Sequence, residues 1–420
     1  MWNGIITQVH WEPTDKCNSA CPMCPRYDDK GFETKTLSDS EWTLESFKKA
    51  WPVELIQGIH KLLSCGNFGD PCACREFVDI YEYCREVNPG MGLACNTNGS
   101  LRNPKWWSRL GAVMRPDQNM GNYCTFSLDG LEDTNHLYRR NTDWKKIMQN
   151  AQAFIDAGGI AHWDYIVFEH NEHQVEEARE LAKKMGFKNF NVKRTTRWQN
   201  YENDKGYFKV YWKGEHLYNL KQPNEDKFKH NFEDAKYFKQ EKYQSLTLDS
   251  LKQMLKAALN NKQHKGRTSD IRYVNGKWET IDLTTLSIAC RSVKDAREHQ
   301  PHNEIYIAAN GFVAPCCFLG SEPFVDTTVR GRDENFIDLI NQQGGVEKFN
   351  MHTNNIYDIL QLDIFQKWIP ETWNDNEKSA LRPQKCATCC GVEFNNLDYG
   401  ELGNKKDSYF DKKDWEKPNE

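Results

Sequence analysis

The sequence lacks what would seat it in a membrane or carry it out of the cell. No apolar run approaches the roughly 18 residues that a spanning helix needs. Its first residues, Met1-Trp2-Asn3-Gly4-Ile5-Ile6, have no basic stretch, apolar stretch or small-residue cleavage site of a secretion signal. Hydrophobic residues are only 38% and mean hydropathy is -0.82, so the surface is very polar. Neither charge is in large excess: 55 Lys+Arg against 60 Asp+Glu leave a net charge of -5. That balance argues against whole-chain electrostatic binding to nucleic acid and leaves room only for a local basic patch. No internal repeat is visible. The chain reads as a soluble, cytoplasmic protein without a membrane partner.

What is present is aromatic area and sulfur. The chain has 14 Trp, 17 Tyr and 21 Phe, which supply the large apolar surface that disordered chains lack. At about 150 residues per domain, its 420 residues suggest two or three domains. Fifteen Cys without a secretion signal do not read as a disulfide framework. In a reducing compartment, clustered Cys bind metal or do redox chemistry.

Four segments separate by pattern. Residues 1–198 alternate short β-rich runs with helical stretches, the signature of βα units and a parallel sheet. Strands are expected at Ile5 to His10, Leu62 to Cys65, Gly92 to Asn96, Tyr123 to Leu128, His162 to Phe168 and Phe190 to Lys193. Val175, Ala178, Leu181, Ala182 and Met185 follow helical spacing, with Gly186 where a helix-ending glycine belongs. Trp144, Ile147, Met148, Ala151, Phe154 and Ile155 do the same before Gly158-Gly159. Residues 199–285 break the rhythm: from Tyr201 to Arg267 there are 14 Lys+Arg, 9 Asp+Glu and 11 aromatics. One helix is expected there, on the stripe Leu251, Met254, Leu255 and Leu259. Residues 286–395 hold the last six cysteines, and 396–420 form a charged tail.

Cys17, Cys21 and Cys24 form C-x3-C-x2-C just after the first expected strand. Three thiolates on one short loop can hold three corners of a [4Fe-4S] cube and leave the fourth iron open, whereas a structural site normally takes four protein ligands. The bland alternatives are three unrelated buried cysteines, or zinc with a distant fourth ligand.

With this triad the sequence resembles the radical S-adenosylmethionine (SAM) superfamily. The resemblance implies that the open iron chelates SAM and that the reduced cluster cleaves it to a 5′-deoxyadenosyl radical. Cys65-Gly66-Asn67-Phe68-Gly69-Asp70-Pro71 is similar to the family's turn that meets the SAM amino group, with Asp70 where a Glu is usual. The shorter acid puts more weight on backbone contacts from Gly66, Asn67 and Gly69. Asn96-Thr97-Asn98-Gly99 is similar to the Thr-Asn-Gly motif. Ser127-Leu128-Asp129-Gly130 followed by Tyr138-Arg139 resembles the family's Ser-x-Asp-Gly and Tyr-Arg. This implies that Ser127 contacts SAM and that Arg139 pairs with its carboxylate through the planar guanidinium. Met23 stands where many relatives carry an aromatic beside the adenine, and methionine can fill that apolar role.

The remaining C-terminal cysteines are Cys290, then Cys316-Cys317 closing Gly311-Phe312-Val313-Ala314-Pro315-Cys316-Cys317, then Cys386-Ala387-Thr388-Cys389-Cys390. Two separated cysteines plus a C-x2-C can wrap a four-thiolate site, for zinc as readily as for iron–sulfur. Their order resembles the auxiliary-cluster extension called SPASM or, in its shorter form, twitch, with Ile305 to Gly311 as the hairpin before the second ligand. No Cys follows Cys390, so the resemblance implies one auxiliary [4Fe-4S] cluster on Cys290, Cys316, Cys386 and Cys389, with Cys317 and Cys390 as neighbouring thiols. Cys65, Cys72, Cys74, Cys84, Cys95 and Cys124 read as buried small side chains.

The expected fold is α/β: a partial (βα)6 barrel followed by a small α+β cluster domain. Family members of this kind include maturases of peptide and protein side chains and dehydrogenases of sugar-like small molecules. The peptide reading leads, and a small-molecule dehydrogenase is the alternative. A non-catalytic zinc or nucleic-acid-binding protein is the reading from another class. The chain reaches its first strand at once, which reads as the absence of an N-terminal peptide-recognition domain. The resemblance also implies an external electron donor such as flavodoxin or ferredoxin. Tyr207, Phe208, Tyr211 and Trp212 in the insert are candidates to stack on a substrate. His170 follows the fifth expected strand, at the carboxyl end where α/β sites form, and is a candidate to exchange protons with substrate.

Overall fold

A computed structural model describes residues 6–115, 121–195, 207–228, 269–274, 277–282, 288, 290, 292, 303–325, 332–373 and 381–390. The chain divides into two compact units, one within residues 11–45 and 60–230, the other within 1–10, 46–59 and 231–398.

The first unit is an α/β layer structure. Trp11, the last residue of β1 (Gln8–Trp11), accepts from the Cys65 amide at 3.1 Å. Then come β2 (Lys61–Ser64), β3 (Gly92–Thr97), β4 (Tyr123–Ser127), β5 (Ala161–Ile166) and β6 (Asn189–Lys193), neighbours in chain order and all parallel. Crossover helices join them: α1 (Phe77–Val87), α2 (Pro104–Val113), α3 (Trp144–Asp156) and α4 (Val175–Met185). Parallel neighbours need such crossovers. Their ends follow the local sequence. Asn103 and Asp143 cap α2 and α3 by accepting from the Trp106 and Lys146 amides, and Gly186 ends α4 at φ 95°, in the left-handed region. Register stacks Phe126 beside Trp163 and Trp163 beside Phe190. With Trp107, Phe154 and Phe187 these rings make the dry layer between sheet and helices.

The expected strands and the helices at 144–155 and 175–185 are present, except that the first strand runs Gln8–Trp11 and not Ile5 to His10, with Ile5 outside the described residues. The fifth strand stops at Ile166, short of Phe168, because the buried Asn171 side chain takes over the backbone. Its Nδ2 donates to the Ile166 carbonyl at 2.9 Å and its Oδ1 accepts from the Phe168 amide at 2.7 Å. Part of the expected insert is an antiparallel hairpin, β7 (Tyr207–Trp212) with β8 (Glu215–Lys221), which falls in this first unit. The helix expected at 251–259 lies outside the described residues.

In the second unit β9 (Ser269–Val274) pairs antiparallel with β10 (Lys277–Asp282), and β11 (Glu304–Ile307) with β12 (Val313–Ala314). The second of these is the hairpin expected around 305–311, turning through Gly311 at φ 86°. No helix among the described residues is long and apolar enough to cross a membrane.

His162 on β5 carries a pH prediction. It stacks on Tyr123 with centroids 4.9 Å apart, and burial pushes its pKa down to about 4, with Asp164 opposing and Lys61 adding. The unfolded chain takes up this proton near pH 6.5 and the folded chain only near 4. Stability is therefore present above about 6.5 and lost as pH falls toward 4. At about 1.4 kcal/mol per pKa unit, His162 should contribute roughly 1–3 kcal/mol to that loss. Urea unfolding at pH 7 and 4.5 checks it: the drop should be smaller in His162→Gln by that amount.

Candidate active site

The three cysteines of the first triad sit on the loop that leaves β1. Cys21 is buried, and Cys17 and Cys24 are half-buried. The loop is fixed by backbone bonds: Ala20 donates to the Arg140 carbonyl at 3.0 Å, Cys24 to the Cys21 carbonyl at 3.1 Å, and Asp70 to the Lys16 carbonyl at 2.9 Å. N–H groups point at the sulfurs. The Ser19 amide lies 3.4 Å and Asn98 Nδ2 3.8 Å from Cys17 Sγ, and Arg139 Nη1 lies 3.7 Å from Cys21 Sγ. The Ser19 hydroxyl is 3.1 Å from Cys21 Sγ. As a free thiol Cys17 resists ionisation: burial pushes it well up, with Asp70, Cys21 and Cys24 adding and the Ser19 bond opposing. A cationic iron cluster would reverse that balance. Donors aimed at sulfur suit bound thiolates, so the donor set fits such a group. Among the described residues no three His, Cys, Asp or Glu side chains surround a point suited to a single ion.

The turn after β2 is built for contact with the chain itself. Buried Glu12 accepts at one oxygen from the Phe68 amide (2.7 Å) and the Gly69 amide (2.9 Å). A Cβ on Gly69 would stand 1.8 Å from the Thr14 carbonyl oxygen, and one on Gly66 2.3 Å from the Gly69 oxygen. These glycines are needed so that turn and triad loop can touch. Asn67 beside them is half-buried.

Asp70 is buried, and both its oxygens are engaged. They accept from the Cys72 amide (2.9 Å), the Asn98 amide (2.8 Å) and the Thr97 hydroxyl (2.9 and 3.0 Å). Burial raises its pKa, while those bonds from Asn98, Cys72 and Thr97 oppose the rise. Asp70 thus ties the β2 turn to the end of β3, which carries Asn98 to Cys17. In Asp70→Asn an amide NH2 would face donors on one side. Leaving buried donors unmet costs about 1–3 kcal/mol, to be read as a lower urea midpoint of the apoprotein.

Ser127 ends β4, half-buried. Two residues on, Asp129 is fully buried. One oxygen accepts from the Ile166 amide (2.6 Å) and the other from Arg139 Nε (2.6 Å). Burial raises the Asp129 pKa and Arg139 pulls it back. Burial opposes the charge on Arg139, but Asp129 and Cys21 more than offset it, so the guanidinium stays charged. It stands with one edge on Asp129, another toward Cys21, and 17% of its side chain exposed. Asp129 and Glu12 were not singled out as site residues in the sequence. Asp129 had a signal there, since it precedes Arg139 by ten residues inside the Ser-x-Asp-Gly motif. Nothing in the sequence marked Glu12.

The β7–β8 hairpin covers the triad loop. Phe208, Val210 and Leu220 pack with Cys21, Met23, Tyr138 and Phe168. Phe208 and Met23 are therefore core residues here, and Tyr207, Tyr211 and Trp212 of the four aromatic candidates remain half-open. Arg140 lies 5.0 Å over the Trp212 ring. His170 stacks on Phe168, centroids 5.4 Å apart, and its buried Nε2 has no hydrogen-bond partner. Burial, with His136 and His173, lowers its pKa to about 4 against Glu169, so at neutral pH the imidazole is uncharged.

In the second unit a cavity of about 210 Å³ is lined by Cys290, Cys316, Cys317, Cys386 and Cys390. Three of the four expected auxiliary ligands thus meet. The side chain of the fourth, Cys389, lies outside the described residues. Burial raises the Cys386 thiol, and Cys316 and Cys390 add to it. Of the other cysteines, Cys72, Cys74, Cys84, Cys95 and Cys124 are buried, with Cys95 and Cys124 3.3 Å apart on neighbouring strands, and Cys65 is half-buried.

The site defines an α/β protein whose carboxyl-end loops gather three thiols under amide and guanidinium donors. Residues 11–192, which span those loops, match the family model described as the radical SAM superfamily. Among solved structures, SuiB of Streptococcus suis bound to S-adenosylmethionine is 14% identical, at a TM-score of 0.40, covering 79% of this chain and 64% of that one. The chain therefore spans just under two thirds of that relative. anSMEcpe with bound AdoMet and Cp18Cys peptide is 15% identical at a TM-score of 0.45, covering 94% and 92%. BtrN in complex with AdoMet and 2-DOIA is 12% identical at 0.36, covering 94% and 96%. No curated protein matches the chain.

Proposed function

We propose that this chain is a radical SAM enzyme with a partial (βα)6 barrel, acting on a peptide or protein side chain. Cys17, Cys21 and Cys24 hold a [4Fe-4S] cluster and leave one iron for SAM. Cys290, Cys316, Cys386 and Cys389 hold an auxiliary [4Fe-4S] cluster in residues 286–395. The observation that carries the reading is the three thiols on one loop with Ser19, Asn98 and Arg139 aimed at their sulfurs.

Cys17, Cys21 and Cys24 would hold a cluster that, when reduced, would supply one-electron cleavage of SAM for hydrogen abstraction from the substrate. The chain's residues hold and orient. Asn98 and Ser19 donate to Cys17 and favour its thiolate. Arg139, fixed by Asp129, keeps N–H groups toward the loop for the SAM carboxylate. Gly66, Asn67 and Gly69 present the turn for the amino group, with Asp70 holding that turn in place, and Ser127 offers its hydroxyl from the end of β4. Neutral His170, with its unpartnered Nε2, is set to accept a hydrogen bond, and the burial that lowers its pKa to about 4 opposes full protonation. Beside the triad loop, Tyr27, Arg140, Tyr211 and Trp212 wall a cleft of about 10 Å³, room for about one water. A flavodoxin- or ferredoxin-type donor in the cytoplasm would reduce the cluster.

Anaerobic reconstitution with iron, zinc and sulfide analysis tests this, with 5′-deoxyadenosine assayed with and without a peptide library. Two cubes require about eight irons per chain, with SAM-dependent deoxyadenosine that the peptides stimulate. Stimulation by sugar-like alcohols and not by peptides would move the substrate to small molecules. Zinc without iron and no deoxyadenosine would overturn the whole reading.

A further inference from the structure

Across β2–β6 the two faces of the sheet differ in kind. Successive side chains along a strand point to opposite faces. On the face toward the helices, Phe126, Trp163 and Phe190 are fully buried. On the other face the carboxyl ends carry Cys65, Asn96, Ser127, Asp164, Asn191 and Lys193, every one half-buried. Register sets them side by side: Ser127 pairs with Asp164, Asp164 with Asn191, and Ile166 with Lys193. The carboxyl ends of parallel strands are where α/β folds bind ligands, and the SAM reading leaves the β5–β6 end of this polar row unassigned. We propose that Lys193, held by Asp164 and flanked by Asn191, receives a carboxylate of the substrate, so that the enzyme selects a peptide with an acidic side chain or a free C-terminus at that point. The proposal deepens the peptide reading above and rests on it.

The side chains are arranged to offer donors. Asp164 is the hub: its Oδ1 accepts from Asn191 Nδ2 at 2.8 Å, and its Oδ2 accepts from the Lys193 ammonium. Of the pair, Asp164 is the deeper, with 13% of its side chain exposed, and Lys193 the more open, with 31%. The ammonium also acts across the same face. Burial raises the Cys65 thiol to about 11, and the Lys193 charge is among the groups that oppose the rise.

That arrangement selects the ligand by charge. A cation would be repelled by Lys193, and an apolar group would strip water from the ammonium without replacing its bonds, which is costly. A carboxylate replaces that water with a charge-assisted hydrogen bond. One ammonium, its charge already shared with Asp164, suits a singly charged group better than a phosphate. Asn191 is two strands, about 10 Å, from Ser127, a span that about three extended residues cover. A peptide can therefore place its carboxylate here and another side chain at the SAM end of the row.

The test uses the reconstituted enzyme and four peptide mixtures, carrying Asp and Glu or Asn and Gln at the varied positions, each with free or amidated C-termini. Peptide-stimulated 5′-deoxyadenosine gives kcat/KM for each mixture. The wild type should favour mixtures with a carboxylate by about tenfold or more, the scale of a hydrogen bond between charged groups. Comparison of the acidic and free-end arms tells a side-chain carboxylate from a C-terminal one. Lys193→Met should abolish the preference through the KM for peptide, and Lys193→Arg should keep most of it, both with native far-ultraviolet dichroism. Lys193→Gln takes the place of Lys193→Met if that variant does not fold. A wild type indifferent to carboxylates, or a preference that survives loss of the Lys193 charge, overturns the assignment. So does a Lys193→Met effect confined to the KM for SAM, which would give the ammonium to the SAM carboxylate instead. Deoxyadenosine that no mixture stimulates overturns the peptide reading, and the assignment with it.

Discussion

Replacing Cys17, Cys21 and Cys24 together by alanine will lower reconstituted iron from about eight per chain to about four and abolish 5′-deoxyadenosine formation. The loop itself should survive the change. Its shape depends on backbone bonds that alanine retains: Ala20 to Arg140, Cys24 to Cys21, and Asp70 to Lys16. The packing lost is mainly one buried sulfur, at Cys21, against Met23 and Phe208. Deleting one buried heavy atom costs about 1 kcal/mol, so urea unfolding of the apoprotein should move only slightly. Loss of iron with a nearly unchanged midpoint separates a ligand role from a structural one. If deoxyadenosine persists in the triple variant, the triad does not hold the catalytic cluster.

Much of the sheet was legible because parallel strands buried on both faces leave short apolar runs, and amphipathic crossover helices leave a 3.6-residue period. Gly186 could be placed from sequence because a helix end in the left-handed region selects glycine. Strand ends were less legible: β5 stops where the Asn171 side chain intercepts the backbone, and a side-chain interception has no periodicity. The triad loop was visible as spacing. Which groups fix that loop was not, because Glu12 acts through the Phe68 and Gly69 amides, the Ser19 hydroxyl donates to the Arg140 carbonyl at 3.1 Å, and Asp129 acts through Arg139 and Ile166, none of them a sequence neighbour. Asp70 illustrates the difference. As a motif residue it suggests a carboxylate offered to a ligand, but in the fold its oxygens are taken by Cys72, Thr97 and Asn98. The insert's aromatics were ambiguous for a similar reason. Alternation along β7 turns Phe208 and Val210 inward onto the triad loop and leaves Tyr211 and Trp212 at the hairpin end, and only the register with β8 decides which face is which.

Asp129→Ala is expected to give the largest stability loss of the substitutions considered, about 3 kcal/mol, and to reduce deoxyadenosine formation at least tenfold. Removing one partner of a buried pair leaves the other charge uncompensated, which costs about 3–5 kcal/mol. The lower end applies because 17% of the Arg139 side chain reaches solvent. The Ile166 amide also loses its acceptor at the point where β5 ends. Asp129→Asn separates the two contributions. It keeps an oxygen for Ile166 and removes the charge, so stability should recover in part while Arg139 is no longer fixed with one edge toward Cys21. If Arg139 serves the site through its orientation, Asp129→Asn should raise the KM for SAM more than it lowers stability, and a double-mutant cycle with Arg139→Gln should show coupling in both quantities. Coupling in stability alone would make the pair structural. It would then leave the SAM carboxylate to be met by another group at the carboxyl ends of these strands.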